Sequence, residues 1–250
     1  MKMAPKCLVF LAFPHYLDPL MIFTADYPQA IIFDLDGTLV DSVPDLSRAL
    51  NEALADLAKT TGSESLQVAV EQVRLWVGNG SRKLVERALL HLEVPIGQMD
   101  TVHGYFLQRY EKCVCEESFL YKGVLELLKA CQQLNLPMAL VTNKPIGFVP
   151  ALLNKLGIDE FFDVQLGGDS LAEKKPSGLP LLHAAQHLNV LPSRCLMVGD
   201  SAADRASAKH AGVPCVLLEQ GYNQGQDLSL LQPEWLLKDV MSLLSELAHP

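Results

Sequence analysis

Basic residues are in the minority: 20 Lys and Arg stand against 29 Asp and Glu, for a formal net charge of −9. Phosphate backbones and anionic membrane surfaces attract basic faces, so no nucleic acid and no membrane is expected as a partner. A small anion is still admissible, because charges more than a Debye length of about 8 Å apart are largely screened and a local cationic pocket can dominate. The six cysteines never fall into a CxxC spacing, and one valine separates Cys113 from Cys115. That argues against a zinc cluster and a disulfide framework. The thiols of "RCLMV" and "PCVLL" lie inside apolar runs, where free cysteine behaves as a small buried hydrophobe. A reducing, cytoplasmic setting is the expectation. The opening apolar run, Cys7 to Phe13, is stopped by Pro14, His15 and Tyr16. It is too short to span a bilayer and no small-residue cleavage pattern follows. It reads as a poorly ordered tail, or as sequence upstream of Met21 as the working initiator. Internal repeats and low-complexity segments are absent as well.

What the chain does have is enough apolar material for a sizeable core. Hydrophobic residues make up 49% and charged residues 20% of 250 positions, so one domain with an inserted module, or two modest domains, is expected. Short continuous apolar runs at "IIF" (31–33), "MALVTN" (138–143), "CLMVGD" (195–200) and "PCVLLE" (214–219) fit fully buried parallel strands. Between them, Val124, Leu127, Leu128 and Cys131, then Val149, Leu152, Leu153 and Leu156, recur at helical spacing. Strand-helix alternation implies an α/β fold, a Rossmann-like doubly wound parallel sheet. From Val43 to about Ser118 the pattern is helical only. One stripe runs from Leu46 through Leu50 and Leu54 to Leu57, a second from Leu84 through Ala88 to Leu92, a third from Met99 through Phe106 to Tyr110. An all-helical block inserted after the first strand has the placement of a lid that excludes water.

"AIIFDLDGTLVDS" places Asp34 and Asp36 at the end of a buried strand. Two like charges there need compensation, and hard oxygen ligands with few histidines nearby point to Mg²⁺. Asp200 and Asp204 in "GDSAAD" add two more carboxylates, one helical turn apart if a helix begins there. "VTNKP" presents Thr142 and Asn143, and "EKKPSG" presents Lys174 and Lys175. A hydroxyl, backbone N–H groups and an ammonium are what a phosphoryl group needs. Taken alone, Lys175 reads as a solvated surface lysine; its company among the other strand ends reverses that reading, since such ends converge in a doubly wound sheet.

"FDLDGTLVDS", "VTNKP", "KKP" and "GDSAAD", in that order over residues 31 to about 220, resemble the haloacid dehalogenase superfamily of phosphotransferases, with the helical insertion similar to that family's first-position cap. The resemblance implies a covalent aspartyl-phosphate and Mg²⁺. It makes Asp34 the nucleophile and Asp36 the general acid/base, whose backbone carbonyl also meets the metal. It gives Thr142, Asn143 and Lys175 the phosphoryl group, Asp200 the metal directly, and Asp204 a place in or just outside the metal's ligand shell. Chemistry narrows the class further. An alkoxide leaving group needs a proton, worth about 10²–10⁴ in rate, whereas halide does not, so Asp36 disfavours dehalogenation. An ion-pumping ATPase would have lysine after the nucleophile and membrane spans, and is excluded.

"LWVGNGSRKLVERAL" (75–89) resembles the cap segment of the family's phosphoglycolate phosphatase subgroup, which also uses "VTNKP". There Gly78 and Gly80 allow a tight turn, and Arg82 is a candidate for a forked pair of hydrogen bonds to a substrate carboxylate. The bland reading of Gly78, Asn79 and Gly80 is helix-breaking punctuation, with Arg82 on a solvated face. A small phosphate ester, 2-phosphoglycolate first, is the expected substrate. Alternatives are another small ester such as a sugar phosphate, a β-phosphoglucomutase-like transferase, and a non-catalytic binding relative, which would have lost a reacting residue. Relative to the family, Ala203 stands where many members have Asn, and Gly178 where many have Pro. The expected division is an N-terminal extension over 1–27, a core over 28–42 and 118–250, and a cap over 43–117, in a monomer or homodimer.

Overall fold

The computed structural model describes residues 22–24, 27–62 and 65–247; the run Cys7 to Phe13 and Met21 lie outside them. Strand β1 (Ala30–Phe33) and the short β2 (Val40–Asp41) lead into helices α1 (Val43–Thr61), α2 (Val70–Arg74), α3 (Ser81–His91) and α4 (Met99–Cys113). The chain returns through β3 (Phe119–Leu120) and then alternates: α5 (Val124–Gln133), β4 (Met138–Val141), α6 (Val149–Leu156), β5 (Val164–Leu166), α7 (Leu179–His187), β6 (Cys195–Gly199), α8 (Ala202–Ala211), β7 (Cys215–Leu218), β8 (Trp235–Leu237) and α9 (Val240–Leu247). Six strands pair in parallel in the order β5-β4-β1-β6-β7-β8, a doubly wound, Rossmann-like sheet.

Both faces of this sheet are buried, which is why its central strands read as unbroken apolar runs. Ala30 and Ile32 pack on one face with Ala139, Met197 and Leu217, under Leu181 of α7 and Ala208 of α8. Ile31 and Phe33 pack on the other with Leu140 and Val198, under Leu128 of α5, Leu152 of α6 and Leu243 of α9. Each such fully buried large aliphatic stabilises by about 1.5–3 kcal/mol. The two outer strands, β5 and β8, have no such signature, because Val164, Gln165 and all of Trp235–Leu237 are only half-buried.

The expectation of a poorly ordered extension through residue 27 is corrected at its end. Ile22, Phe23 and Tyr27 are buried; the Tyr27 hydroxyl donates to Cys195 O at 3.3 Å, and its ring stacks on Trp235 with centroids 6.3 Å apart. An aromatic able to bury its ring and satisfy its hydroxyl anchors a tail that composition alone leaves free.

From 43 to 117 the described residues form helices and no strand. Leu46, Leu50, Leu54 and Leu57 of α1 are buried, as are Leu84, Val85, Ala88 and Leu89 of α3 and Met99, Val102, Phe106 and Tyr110 of α4. Two crossings join this block to the sheet, and they pair as antiparallel β2 and β3, Val40 opposite Leu120. Asp45, fully buried in the first turn of α1, fastens the crossings: its carboxylate accepts Glu117 N at 2.9 Å, Ser118 N at 2.9 Å and the Ser118 hydroxyl. Asp45→Ala strands the N–H and hydroxyl of buried Ser118 together with the N–H of Glu117 and is expected to lower stability by about 3 kcal/mol. Urea unfolding reads this directly; an unchanged midpoint would show that the clasp is dispensable.

Candidate active site

In the sheet, Phe33 of β1 is level with Leu140 of β4 and Val198 of β6. Just beyond these positions the three strands release Asp34, Thr142 and Asp200 at one edge. The central strand there has neighbours from opposite directions of the chain, the place where an open α/β sheet gathers its ligands. Asp34, Asp200 and Asp204 are buried, and each offers an oxygen within 4.8 Å of the others'. The Lys175 ammonium lies 2.7 Å from Asp34 Oδ1 and 2.7 Å from Asp204 Oδ1.

Backbone geometry sets each carboxylate in place. Asp200 accepts the Thr38 hydroxyl at 2.7 Å and Tyr222 N at 2.5 Å. The chain can turn beside it only because residue 37 is glycine, with φ +94°; a Cβ there would sit 2.3 Å from Asp200 Oδ2. Asp204 is the third residue of α8 and completes a capping box with Ser201. Its Oδ2 accepts Ser201 N at 3.0 Å and the Ser201 hydroxyl at 2.6 Å, while Oδ1 takes Lys175. Asp204 thus aims Lys175 while sharing the carboxylate cluster with Asp34 and Asp200, whose oxygens are likewise partly engaged.

Three buried carboxylates face one buried ammonium, and the imbalance is visible in their proton affinities. Burial pushes the Asp34 carboxyl up to about 7; Lys175 pulls it down and Asp204 pushes it up. Burial, then Asp204 and Asp34, raise Asp200 well above the ordinary carboxylate range. For Lys175 burial works against the charge, and Asp204 and Asp34 more than offset it, so the ammonium persists. An all-oxygen donor set with excess negative charge fits a hard divalent cation.

Asp36 faces a different environment. Its Oδ1 accepts the Ser42 hydroxyl at 2.6 Å, and the Lys144 ammonium bridges both its oxygens at 2.9 and 3.0 Å. Lys144 is buried, 5% exposed, with Nζ 4.8 Å from the Tyr110 ring centroid. The two acids two residues apart are thus paired with different lysines, Lys175 for Asp34 and Lys144 for Asp36. Thr142 lies at the pocket wall beside Asp34, its Oγ1 accepting Lys144 N at 3.2 Å. Asn143 lines the same pocket, its amide N–H donating to Gly78 O at 3.1 Å and Lys175 O at 3.0 Å.

The haloacid dehalogenase-like hydrolase family matches residues 28–212 of this chain. The chain belongs to that family. Among curated relatives, the phosphoglycolate phosphatase of Colwellia psychrerythraea is 40% identical over 224 residues, covering 88% of this chain and 96% of that protein. That of Escherichia coli K12 is 38% identical over 241 residues, covering 89% and 93%. A solved structure of a predicted phosphoglycolate phosphatase from Haemophilus somnus 129PT superposes with a TM-score of 0.79 at 34% identity, covering 89% of this chain and 99% of that one. CbbY from Rhodobacter sphaeroides, solved with phosphate, gives 0.72 at 27% identity, covering 88% and 99%.

In this haloacid dehalogenase-like hydrolase the helical block leans onto the pocket through the loop before α3. Asn79 O accepts the Lys174 ammonium at 3.0 Å, and Gln224 Nε2 donates to Val77 O at 3.0 Å and Asn79 Oδ1 at 2.9 Å. Gly80, at φ +91°, passes so close that a Cβ would meet Lys174 Nζ at 2.9 Å and Asn143 O at 3.2 Å; Gly78 is also left-handed, at φ +111°. Arg82 is not brought to the pocket. Its side chain is 59% exposed and pairs with Asp100 at 2.7 Å, on the solvated face that the bland sequence reading allowed. Arg87 instead turns inward, donating to Trp76 O at 2.6 Å and Asn79 Oδ1 at 2.8 Å. Arg82→Ala is accordingly expected to change kcat/KM by less than about threefold, since exposed pairs contribute about 0–1 kcal/mol; a loss of about 100-fold in steady-state assays would return Arg82 to the site.

Proposed function

We propose that this chain is a Mg²⁺-dependent phosphomonoesterase of the cytoplasm that hydrolyses 2-phosphoglycolate to glycolate and phosphate through a phosphoryl-Asp34 intermediate. The observation that carries the reading is the convergence of Asp34, Asp200, Asp204 and Lys175 at one strand edge, with Asp36 held two residues away in a separate ion pair. The substrate follows from the relatives named phosphoglycolate phosphatase, whose length this chain covers almost entirely.

In this reading residues 43–117 are a cap and the remaining described residues a core. Asp34 attacks phosphorus as the ester P–O bond breaks, and Asp36 delivers a proton to the departing glycolate oxygen. Water then attacks the phosphorus of phosphoryl-Asp34, giving its proton to Asp36, and the bond to Asp34 breaks to release phosphate. Lys175, fixed by Asp204, and the Thr142 hydroxyl hold the phosphoryl oxygens throughout. Asp34, Asp200 and the backbone carbonyl of Asp36 would hold Mg²⁺. When bound, the ion supplies neutralisation of the phosphoryl charge, the main requirement of phosphoryl transfer. The cap loop at Val77–Gly80 covers the pocket and limits water.

The test is a hydrolysis panel of 2-phosphoglycolate, hexose phosphates, nucleotides and pyrophosphate, each with and without Mg²⁺. The expected outcome is Mg²⁺-dependent turnover with the highest kcat/KM for 2-phosphoglycolate. Preferred turnover of a hexose phosphate would overturn the substrate and leave the reaction class; no turnover of any ester would overturn both.

A further inference from the structure

The phosphoryl-facing residues Asp34, Thr142 and Lys175 do nothing for the second charge of 2-phosphoglycolate, the carboxylate of its leaving group. Arg82, engaged with Asp100 at the surface, is no partner for it. Two polar groups stand in the pocket instead. Lys144 is buried there with its ammonium. Tyr110, 1% exposed, lines the same pocket; its hydroxyl oxygen neighbours the Lys144 ammonium, and its O–H has no acceptor among the described residues. Around them the wall is apolar, formed by Leu46, Leu84, Phe106 and Phe148. A buried O–H left without an acceptor is unfavourable, and beside a buried ammonium it marks where an anion gains most.

Connectivity gives the same place. The group that protonates the leaving oxygen must touch it, and the carboxylate of 2-phosphoglycolate is joined to that oxygen by a single methylene. Asp36 is that acid in the proposed reaction, and the Lys144 ammonium lies 2.9 Å from it. A carboxylate so tethered arrives beside Lys144. The ammonium has three N–H donors, enough to bridge Asp36 and a substrate carboxylate together.

We propose that the Lys144 ammonium and the Tyr110 hydroxyl bind the substrate carboxylate and set the preference for carboxylate-bearing esters. This rests on the 2-phosphoglycolate reading above. Lys144 enters from the core and Tyr110 from the cap helix α4, so recognition of the carboxylate also requires the cap to be in contact with the core.

The experiment compares kcat/KM for 2-phosphoglycolate with that for p-nitrophenyl phosphate, which has no carboxylate, in the wild-type enzyme, Lys144→Gln and Tyr110→Phe. The ratio of the two is the readout, because a role for Lys144 confined to Asp36 would depress both substrates alike. The ratio is expected to fall about 100-fold in Lys144→Gln and about 10-fold in Tyr110→Phe, chiefly through KM, given the strength of hydrogen bonds to charged groups. Inhibition by the product glycolate should weaken in parallel, and inhibition by inorganic phosphate should weaken less. An unchanged ratio in Lys144→Gln overturns the proposal. If that variant does not fold, Tyr110→Phe, which removes one oxygen from an intact ring, decides: an unchanged ratio there overturns it. A wild-type enzyme with no preference for 2-phosphoglycolate overturns the substrate reading and this proposal together, whereas a preference that survives both substitutions overturns this proposal alone.

Discussion

Replacing Asp34 by Asn is expected to lower kcat for phosphate-ester hydrolysis by at least about 10⁴-fold, the scale on which removing a covalent nucleophile acts when no other group can take its place. The fold should survive. Asn has the same shape, and Asp34 is a buried acid whose carboxyl is pushed up to about 7, first by burial, so neutralising it removes an unfavourable buried charge. The variant therefore separates chemistry from architecture: turnover collapses while the melting temperature holds. Retained turnover would require attack on phosphorus by water without a covalent step.

Removal of the metal comes second in size. Chelation with EDTA is expected to abolish turnover and added Mg²⁺ to restore it, because three buried carboxylates against Lys175 alone leave the phosphoryl site too negative for a dianionic ester. Asp200→Asn should shift the Mg²⁺ activation curve to concentrations higher by about 100-fold. A readout independent of activity is available in thermal unfolding. Saturating Mg²⁺ should raise the melting temperature of the wild-type protein, by an amount corresponding to about 2.7 kcal/mol at one hundred times Kd, and should do little for Asp200→Asn. Without Mg²⁺ the order reverses, and Asp200→Asn should melt above wild type, since Asp200 is raised far from its ordinary range by burial and by Asp204 and Asp34. A metal-free wild-type protein more stable than the variant would mean that the excess charge inferred here is absent.

Much of this architecture is legible in the sequence because the two-sided burial of a parallel sheet writes itself as apolar runs. "IIF", "MALV", "CLMVG" and "CVLL" correspond to β1, β4, β6 and β7, and the polar residue ending each of the first three runs points to the binding edge. β5 and β8 left no such mark, being three residues long and half-exposed. The cap stripes were readable from Leu and Ala spacing, whereas the β2–β3 pairing and the Asp45 clasp join positions more than 70 residues apart and have no local signal.

Within the site the acidic residues and Lys175 were legible, whereas the Ser201 capping contact and Lys144 were not. Asp204 reads as a carboxylate in or just outside the metal's ligand shell, and the structure places it in the cluster with Asp34 and Asp200 while adding hydrogen bonds to Ser201 and Lys175; the serine three residues ahead of it in "GDSAAD" is the available hint of a capping box. Lys144 stands inside the quoted "VTNKP", but a loop lysine reads as solvated, and only the tertiary contact with Asp36 and Tyr110 shows otherwise. Arg82 carried the opposite error. A guanidinium beside a glycine turn resembles an anion clamp, while the register of α3 turns it toward Asp100 and solvent.

The central claim, a covalent phosphoryl group on the first aspartate of "DLD", is tested most directly by rapid acid quench of the enzyme turning over a radiolabelled ester, followed by peptide mapping. The label should appear within the first turnover on the peptide containing Asp34, should be released by hydroxylamine as an acyl phosphate is, and should be missing from Asp34→Asn. Label mapping to any other residue, or full-rate turnover by Asp34→Asn, would contradict it.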